Sequence, residues 1–220
     1  MIESEKYRWL KWMDENEIKI LLVSIIALVT IPPFISSDVE GIGLIMNLIF
    51  LPILVSCFLI IRKRRITRYI SIMTLILVLV NFFLDNKTVD SLIQLGISIL
   101  VIHAFFLVIR EAISLRGTRG NMILISITGY MIIGLLGGFL ADLLEYVKPG
   151  SYYHTTGIEL DMYNFIYYSY VTMTSLGYGD IIPITKESQA LALVMILCGQ
   201  LYLAVIIAIN VSKFLQKSNS

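Results

Sequence analysis

The residues best suited to chemistry form one short stretch, VTMTSLGYGD, which runs from Val171 to Asp180. It places hydroxyl side chains before two glycines that flank a tyrosine, and it contains no catalytic base. Gly177 and Gly179 allow backbone angles that other residues avoid, so successive carbonyl groups can turn to the same side. The sequence therefore predicts a column of backbone oxygens, which are suitable ligands for a hard cation.

Other interpretations of this stretch fit less well. GYGD would usually be a simple turn in a soluble protein, but here it lies between very hydrophobic segments. A nucleotide-binding loop would follow a strand and end in Gly-Lys-Ser/Thr, and this stretch does neither. The sequence has no nucleophile–base pair and no metal-ligand constellation, so we expect neither an enzyme nor a cofactor.

The composition is that of an integral membrane protein. Of the 220 residues, 57% are hydrophobic and 15% are charged, and the mean hydropathy is +0.83. Soluble domains have about 45–50% apolar and about 25% charged residues. The net charge of +1 gives no reason to predict a nucleic-acid partner. Cys57 and Cys198 both lie in apolar runs and are interpreted as small buried residues.

Segments long and apolar enough to span a bilayer, about 20 residues, occur six times. They are residues 18–37, 39–61, 66–84, 88–113, 121–146 and 187–213. Pro32-Pro33 should kink or stop the first of them. We expect an all-α membrane protein with four peripheral helices in residues 18–116 and a second domain in residues 117–215. Residues 1–17 would form an interfacial cytoplasmic segment, and residues 216–220 a short cytoplasmic tail.

The positive charges orient these segments. With the N-terminus in the cytoplasm, 14 of the 17 Lys and Arg residues lie on the inner side, and the outer side has only Lys87, Lys148 and Lys186. Such a bias is typical of multi-pass proteins of the cell membrane, so both termini should be cytoplasmic. A basic cluster on the inner side could also bind anionic lipid; its members are Arg62, Lys63, Arg64, Arg65 and Arg68.

The outer loop between the last two spans, residues 147–186, contains a second apolar element. After the turn Pro149-Gly150-Ser151 comes DMYNFIYYSYVTMTS, which is about 14 residues long and too short to cross the bilayer. It fits a re-entrant helix with Asp161 or Asn164 as its N-cap. Non-helical backbone at membrane depth is tolerated where it lines a water-filled path, which predicts a pore at the glycines.

These residues resemble the selectivity filter of potassium channels, in which carbonyls replace the hydration shell of the ion. The resemblance covers residues 161–213, and FIYYSYVTMTSLGYGDIIP is similar to small bacterial channels of the six-helix type. It implies a homotetramer that conducts K⁺ passively. It also implies ion sites formed by the carbonyls of Ser175, Leu176, Gly177 and Tyr178, with the Ser175 hydroxyl completing the innermost site.

The resemblance assigns supporting roles as well. Gly179 completes the filter, and its supports would be Tyr168, Thr172, Thr174 and Asp180, with the Tyr178 ring pointing away from the pore. Ser175 and Leu176 stand where the family usually has Thr and Val. Serine keeps the hydroxyl but loses the methyl group that stiffens the side chain, which leaves open a less selective cation channel.

Gating is less specified by the sequence. Gly199 matches the family's hinge glycine, but it could equally mark a close approach of the re-entrant helix. Leu203, Ile207 and Val211 form a stripe that could gate the path or pack on neighbours. Span 88–113 has no arginine ladder, so little voltage sensing of that kind is expected.

Two further classes of protein remain as alternatives. A secondary transporter would show broken helices in both halves, and no counterpart of the re-entrant loop occurs in residues 1–110. A regulatory channel subunit is the other, and the complete glycine motif argues against it. Gly134 and Gly138 have the spacing of a helix-packing motif, directed at either the last span or the re-entrant helix.

Overall fold

The computed structural model describes residues 16, 18–34, 69, 72, 73, 76, 99, 102, 103 and 119–218. The chain divides into two compact units, Met1–Ser114 and Leu115–Ser220. The predicted spans 39–61, 66–84 and 88–113 lie wholly or largely outside the described residues, as do most of the N-terminal segment and the basic cluster at residues 62–68. The positions described within the third and fourth spans are helical, and the count of six spans stays a prediction.

In the first unit, helix α1 covers Ile18–Thr30 and is followed by a 3-10 turn at Pro32–Phe34. Pro32 lacks an amide hydrogen, and the Phe34 amide donates to the Ile31 carbonyl at 3.0 Å, which closes the turn. The prediction that Pro32-Pro33 would kink or stop the span 18–37 is therefore confirmed, because the helix ends at Thr30. The described helix stops before the prolines and is shorter than the about 20 residues that a bilayer requires.

The second unit contains the elements around the glycine motif. Helix α2 is Arg119–Val147, strand β1 is Tyr152–His154, helix α3 is Met162–Met173, strand β2 is Ile181–Pro183 and helix α4 is Lys186–Ser218. Within them, Ile123–Val147 and Lys186–Ile206 are long and apolar enough to cross a membrane. The last two predicted spans thus form helices slightly longer than expected, whereas the two short strands were not anticipated.

Helix α3 is slightly shorter than the element of about 14 residues that the sequence predicts, with 12 residues. Asp161 is the N-cap, and its carboxylate accepts hydrogen bonds from the Asn164 amide at 2.9 Å and from the Asn164 side chain at 2.6 Å. The helix ends after 12 residues at Thr174, whose hydroxyl donates back to the Tyr170 carbonyl at 2.7 Å. The same carbonyl also accepts the Thr174 backbone amide at 3.1 Å, so the side chain and the backbone of Thr174 both bond back onto the last turn of the helix.

Glycines on α2 allow the other two helices to approach it closely. The Tyr170 ring of α3 lies over Gly134, and the Tyr202 ring of α4 lies over Gly129. Each tyrosine hydroxyl then donates to an α2 carbonyl three residues before its glycine, to Met131 at 2.6 Å and to Ser126 at 2.9 Å. Gly134 therefore packs against α3, the second of the two partners that the sequence left open.

Strands β1 and β2 join the two sides of the segment between α2 and α4, which the sequence predicts to be an outer loop. They pair antiparallel, with Tyr153 opposite Ile182. The Glu145 carboxylate accepts hydrogen bonds from the amides of Gly150 at 2.7 Å and Tyr152 at 3.0 Å, which fixes the turn after α2. Tyr152 then packs edge-to-face on Phe165 and Tyr168, each with ring centroids 5.2 Å apart. The segment after α2 is thus packed against α3 through the Tyr152 ring.

The packing of α2 on α3 predicts different costs for two neighbouring glycines. A Cβ at Gly138 would lie 2.7 Å from the Ile166 Cα, which is backbone and cannot rotate away. A Cβ at Gly137 would meet the Ser169 hydroxyl oxygen, which belongs to a side chain and can rotate away. Overpacking costs about 1–3 kcal/mol, and alanine returns about 1 kcal/mol of helix propensity. We expect Gly138→Ala to lower the thermal midpoint of the purified protein and Gly137→Ala to lower it less.

The control for this pair is Ser169→Ala, which removes the hydroxyl oxygen that Gly137→Ala would meet. It should relieve Gly137→Ala and leave the defect of Gly138→Ala unchanged. Equal midpoints for the two glycine variants would contradict this description of the helix contact.

Candidate cation site at the end of helix α3

The amide groups that follow α3 turn back onto the end of the helix. The Ser175 amide donates to the Thr172 carbonyl at 2.9 Å. The amides of Leu176 and Gly177 both donate to the Val171 carbonyl, at 3.0 and 3.2 Å. The last carbonyls of a helix have no partner inside it, so the three amides satisfy oxygens that would otherwise be unpaired. We call residues 175–179 the glycine ribbon.

This arrangement fixes where the carbonyl oxygens of the ribbon point. No peptide bond among the described residues is cis, and in a planar trans peptide the N–H and C=O groups point in opposite directions. Since three successive amides point toward α3, the carbonyls of the same peptide groups, those of Thr174, Ser175 and Leu176, point away from it. Successive oxygens are therefore presented on the side of the ribbon that faces away from its own helix.

The backbone angles of the ribbon alternate. Ser175, Gly177 and Gly179 have φ angles of 61°, 58° and 77°, whereas Leu176 and Tyr178 between them have negative φ. Glycine adopts such angles freely, but for serine the left-handed region costs about 1–2 kcal/mol. A residue held in a disfavoured conformation is typical of a functional site. The sequence predicted unusual backbone angles at Gly177 and Gly179, but it did not predict the positive φ at Ser175.

Among the described residues, two of the carbonyls so presented, those of Ser175 and Leu176, have no hydrogen-bond donor, and neither do the next two along the ribbon, those of Gly177 and Tyr178. In the part of the chain that the structure describes, the carbonyl oxygens of Ser175, Leu176, Gly177 and Tyr178 accept no hydrogen bond. All four residues are exposed in the single chain. These four oxygens are therefore available to water or to a cation, and they belong to the four residues predicted to bind the ion.

Helix α4 contacts the ribbon at Ser175, the end that we call the inner end. The Gln200 side-chain amide lies 3.1 Å from the Ser175 hydroxyl and 3.4 Å from the Met173 carbonyl. Next to it, Gly199 is buried, and a Cβ on it would lie 2.6 Å from the Met173 carbonyl oxygen. The structure therefore supports the close approach at Gly199, one of the two interpretations that the sequence left open.

Asp180 follows Gly179 and anchors that end of the ribbon, which we call the outer end. Its carboxylate accepts hydrogen bonds from the Tyr167 hydroxyl at 2.6 Å and from the Ile181 amide at 3.1 Å, and its carbonyl accepts one from the Thr155 amide at 2.9 Å. Burial alone would raise the pKa of Asp180, but the hydrogen bonds from Tyr167 and from the backbone amides outweigh it and hold the pKa below its ordinary value. The carboxylate therefore stays charged.

The predicted supports lie around the ribbon in different ways. Tyr168 is buried and packs on Tyr152, on the core side of α3. The Tyr178 ring is 66% exposed in the single chain, so contact between the two remains a prediction about neighbouring copies. Thr174 bonds to the end of α3, and the Thr172 carbonyl accepts the Ser175 amide.

The predicted gate residues all lie on α4. Leu203 is partly exposed in the single chain. Ile207 and Val211 are helical, but the structure does not describe their side chains, so their role stays a prediction.

Tyr167 and Gln200 were not selected from the sequence. Gln200 could have been found, because it is the only amide in the apolar run from Ala190 to Ile209 and it directly follows Gly199. Tyr167 could not, because the run IYYSY offers tyrosines on every side of a helix and only the position of Asp180 selects among them.

Residues 143–216 match a family model described as "Ion channel". The matched segment includes the end of α2, all of α3, the glycine ribbon and most of α4. No solved structure matches the chain. The match and the apolar helices together support an ion channel in a membrane, and the protein is therefore not an enzyme.

Tyr167→Phe removes the hydroxyl that donates to Asp180. Hydrogen bonds to charged groups contribute about 1.5–3 kcal/mol, and partial exposure places this one near the lower end. We expect a lower thermal midpoint at neutral pH, with Tyr146→Phe at the exposed end of α2 as a neutral control. Because the pKa of Asp180 is lowered by folding, this contribution is present above the ordinary value of 3.8 and is lost as the pH falls through the lowered value.

The difference between wild type and Tyr167→Phe should accordingly shrink in acid. A variant as stable as wild type at neutral pH would contradict this function of the hydrogen bond, and so would a difference that persists undiminished well below pH 3.8.

Gly199→Ala distinguishes between two roles of Gly199: a point where α4 lies close to the Met173 carbonyl, and a hinge in α4. The methyl group would push α4 away from the Met173 carbonyl, and overpacking of this kind costs about 1–3 kcal/mol. We expect a lower thermal midpoint for Gly199→Ala and a midpoint close to wild type for the control Cys198→Ala on the same helix. Cys198 is exposed in the single chain, so the prediction that it is buried is wrong there. If Gly199→Ala altered gating without changing the midpoint, the glycine would be a hinge.

Proposed function

We propose that this protein is a potassium-selective channel that conducts K⁺ passively through a pore formed by four copies of the chain. The observation that carries the proposal is that the carbonyl oxygens of residues 175–178 accept no hydrogen bond from the described part of the chain. The first two of these carbonyls, those of Ser175 and Leu176, point away from α3. Rings of backbone carbonyls are the means by which potassium channels replace the hydration shell of the ion. K⁺ is the permeating ligand in this proposal, and no cofactor is required.

The tetramer is proposed because one ribbon supplies oxygens from one side only. A dehydrated cation needs oxygens around it, and copies of the ribbon around a common axis would provide them. In the single chain, the Leu176 side chain is 55% exposed, and several apolar side chains of α4 are more than half exposed: Leu193, Val194, Leu197, Leu201 and Val205. Neighbouring copies would cover part of this surface, and lipid would cover the rest.

A weakly selective cation channel of the same architecture is the second candidate. The observation in its favour is Ser175, whose side chain lacks the β-methyl group that restricts rotation in threonine. A more mobile hydroxyl would define the innermost site less sharply. Both candidates share the carbonyl ladder, and they differ in the ratio of K⁺ to Na⁺ permeability.

The remaining features of the proposal concern the membrane. Both termini are placed in the cytoplasm, in a multi-pass protein of the cell membrane, on the basis of the Lys and Arg distribution. The basic cluster at residues 62–68 is proposed to contact anionic lipid head groups. Without an arginine ladder in residues 88–113, gating is proposed to depend little on voltage.

Reconstitution into liposomes tests the function. Under a K⁺ gradient we expect K⁺ flux well above Na⁺ flux, and Gly177→Ala should abolish it, because alanine at φ 58° is strained by about 1–2 kcal/mol and would disturb the carbonyl ladder. Gly157→Ala is the matched control: its φ of 72° imposes the same kind of strain in the outer loop, with nothing nearby, and flux should persist.

The mass of the detergent-solubilised protein provides a second test. We expect four copies, whereas a monomer or dimer would favour a transporter. Equal K⁺ and Na⁺ flux would favour the weakly selective channel, and the absence of any flux would contradict both candidates.

A further inference from the structure

Gln200 of α4 makes a side-chain contact with the glycine ribbon. Its Nε2 atom donates to the Ser175 hydroxyl oxygen over 3.1 Å and reaches the Met173 carbonyl at 3.4 Å. The contact joins α4 to the inner end of the ribbon across 25 residues of sequence. Gly199 makes it possible, because its lack of a side chain lets α4 lie against the Met173 carbonyl.

The residue that receives this hydrogen bond is unusually free to move. Serine has no branch at Cβ, so its side chain rotates among three staggered positions more freely than that of threonine. Its hydroxyl has one donor hydrogen and two acceptor lone pairs. An ion at the inner end of the ribbon needs one of those lone pairs directed at it. A serine without a second contact would present that lone pair only part of the time.

The Gln200 amide occupies one lone pair of Ser175 and leaves the other. We propose that Gln200 is a positioning residue that orients the Ser175 hydroxyl toward the permeating cation and so sets the K⁺ to Na⁺ preference of the innermost site. This inference rests on the proposed function of the ribbon. The amide replaces, by a hydrogen bond from another helix, the stiffness that a threonine methyl would supply. Because Gln200 is uncharged, it adds no electrostatic attraction or barrier of its own.

The arrangement also couples α4 to the ribbon. A movement of α4 at Gln200 would release the hydroxyl without breaking the amide contacts between the ribbon and α3, which are made by different atoms. Displacement of this helix would thus alter ion preference before it disrupted the ribbon. No other described side chain donates to the Ser175 hydroxyl.

The test is a double-mutant cycle on the permeability ratio of K⁺ to Na⁺, obtained from reversal potentials of the reconstituted full-length protein. We expect Gln200→Ala to lower the ratio by about 2- to 10-fold, the range that corresponds to one neutral hydrogen bond. Gln200→Leu keeps a similar volume but has no hydrogen to donate and adds no charge, so it should lower the ratio too. Gln189→Ala, on an exposed part of the same helix, is the matched control and should leave the ratio unchanged.

The decisive arm places Gln200→Ala in a Ser175→Thr background. Threonine restricts its own hydroxyl, so loss of the amide should lower the ratio much less there than in the serine protein. A variant that merely misfolded would not be rescued in this way. The inference is overturned if Gln200→Ala leaves the ratio unchanged, or if it lowers the ratio equally in both backgrounds.

Failure of the inference and failure of the proposed function give different results. If the wild-type protein selects K⁺ and the cycle shows no coupling, only the role of Gln200 is refuted. If the wild-type protein carries no K⁺ current, the proposed function is refuted, and the inference with it.

Discussion

The structure of the candidate site depends on the hydrogen bonds that the backbone amides after α3 donate to the end of that helix. The end of a helix leaves carbonyl oxygens that need donors, and the amides of Ser175, Leu176 and Gly177 supply them. Since the peptide groups are planar and trans, each amide that turns inward forces a carbonyl outward. The helix end and the outward direction of the Thr174, Ser175 and Leu176 carbonyls are therefore two results of one hydrogen-bonding arrangement.

The rest of the second unit holds this arrangement in place. Glycines on α2 allow Tyr170 to lie close to that helix, which fixes the depth of α3. Tyr152 and the short sheet fix the outer loop, and Asp180 ties the outer end of the ribbon to Tyr167 and Thr155. Gln200 ties the inner end to α4. The ribbon, which makes few contacts of its own, is thus held at both ends by separate elements.

The sequence predicted the parts of this fold that depend on local physical chemistry. The lengths of α2, α3 and α4 follow from apolar runs, the Asp161 cap and the turn at Pro149-Gly150, all of which act over a few residues. The conformations of Gly177 and Gly179 follow from the absence of a side chain. By contrast, the hydrogen bonds from Tyr167 and Gln200 join residues 13 and 25 positions apart, and no periodicity encodes them. The left-handed angle at Ser175 was missed for a different reason: it belongs to the local end of α3, where the Ser175 amide donates to Thr172 and the Leu176 amide donates to Val171, but this position is usually a glycine.

The central claim is that the carbonyl oxygens of residues 175–178 bind the permeating cation. The most direct measurement is an experimental structure of the purified protein in Tl⁺, a heavy substitute for K⁺, with its position determined by anomalous scattering. The predicted result is a row of Tl⁺ peaks on a fourfold axis, coordinated by these carbonyls from four chains. Chains whose ribbons share no axis, or an axis without Tl⁺ between these carbonyls, would contradict the claim.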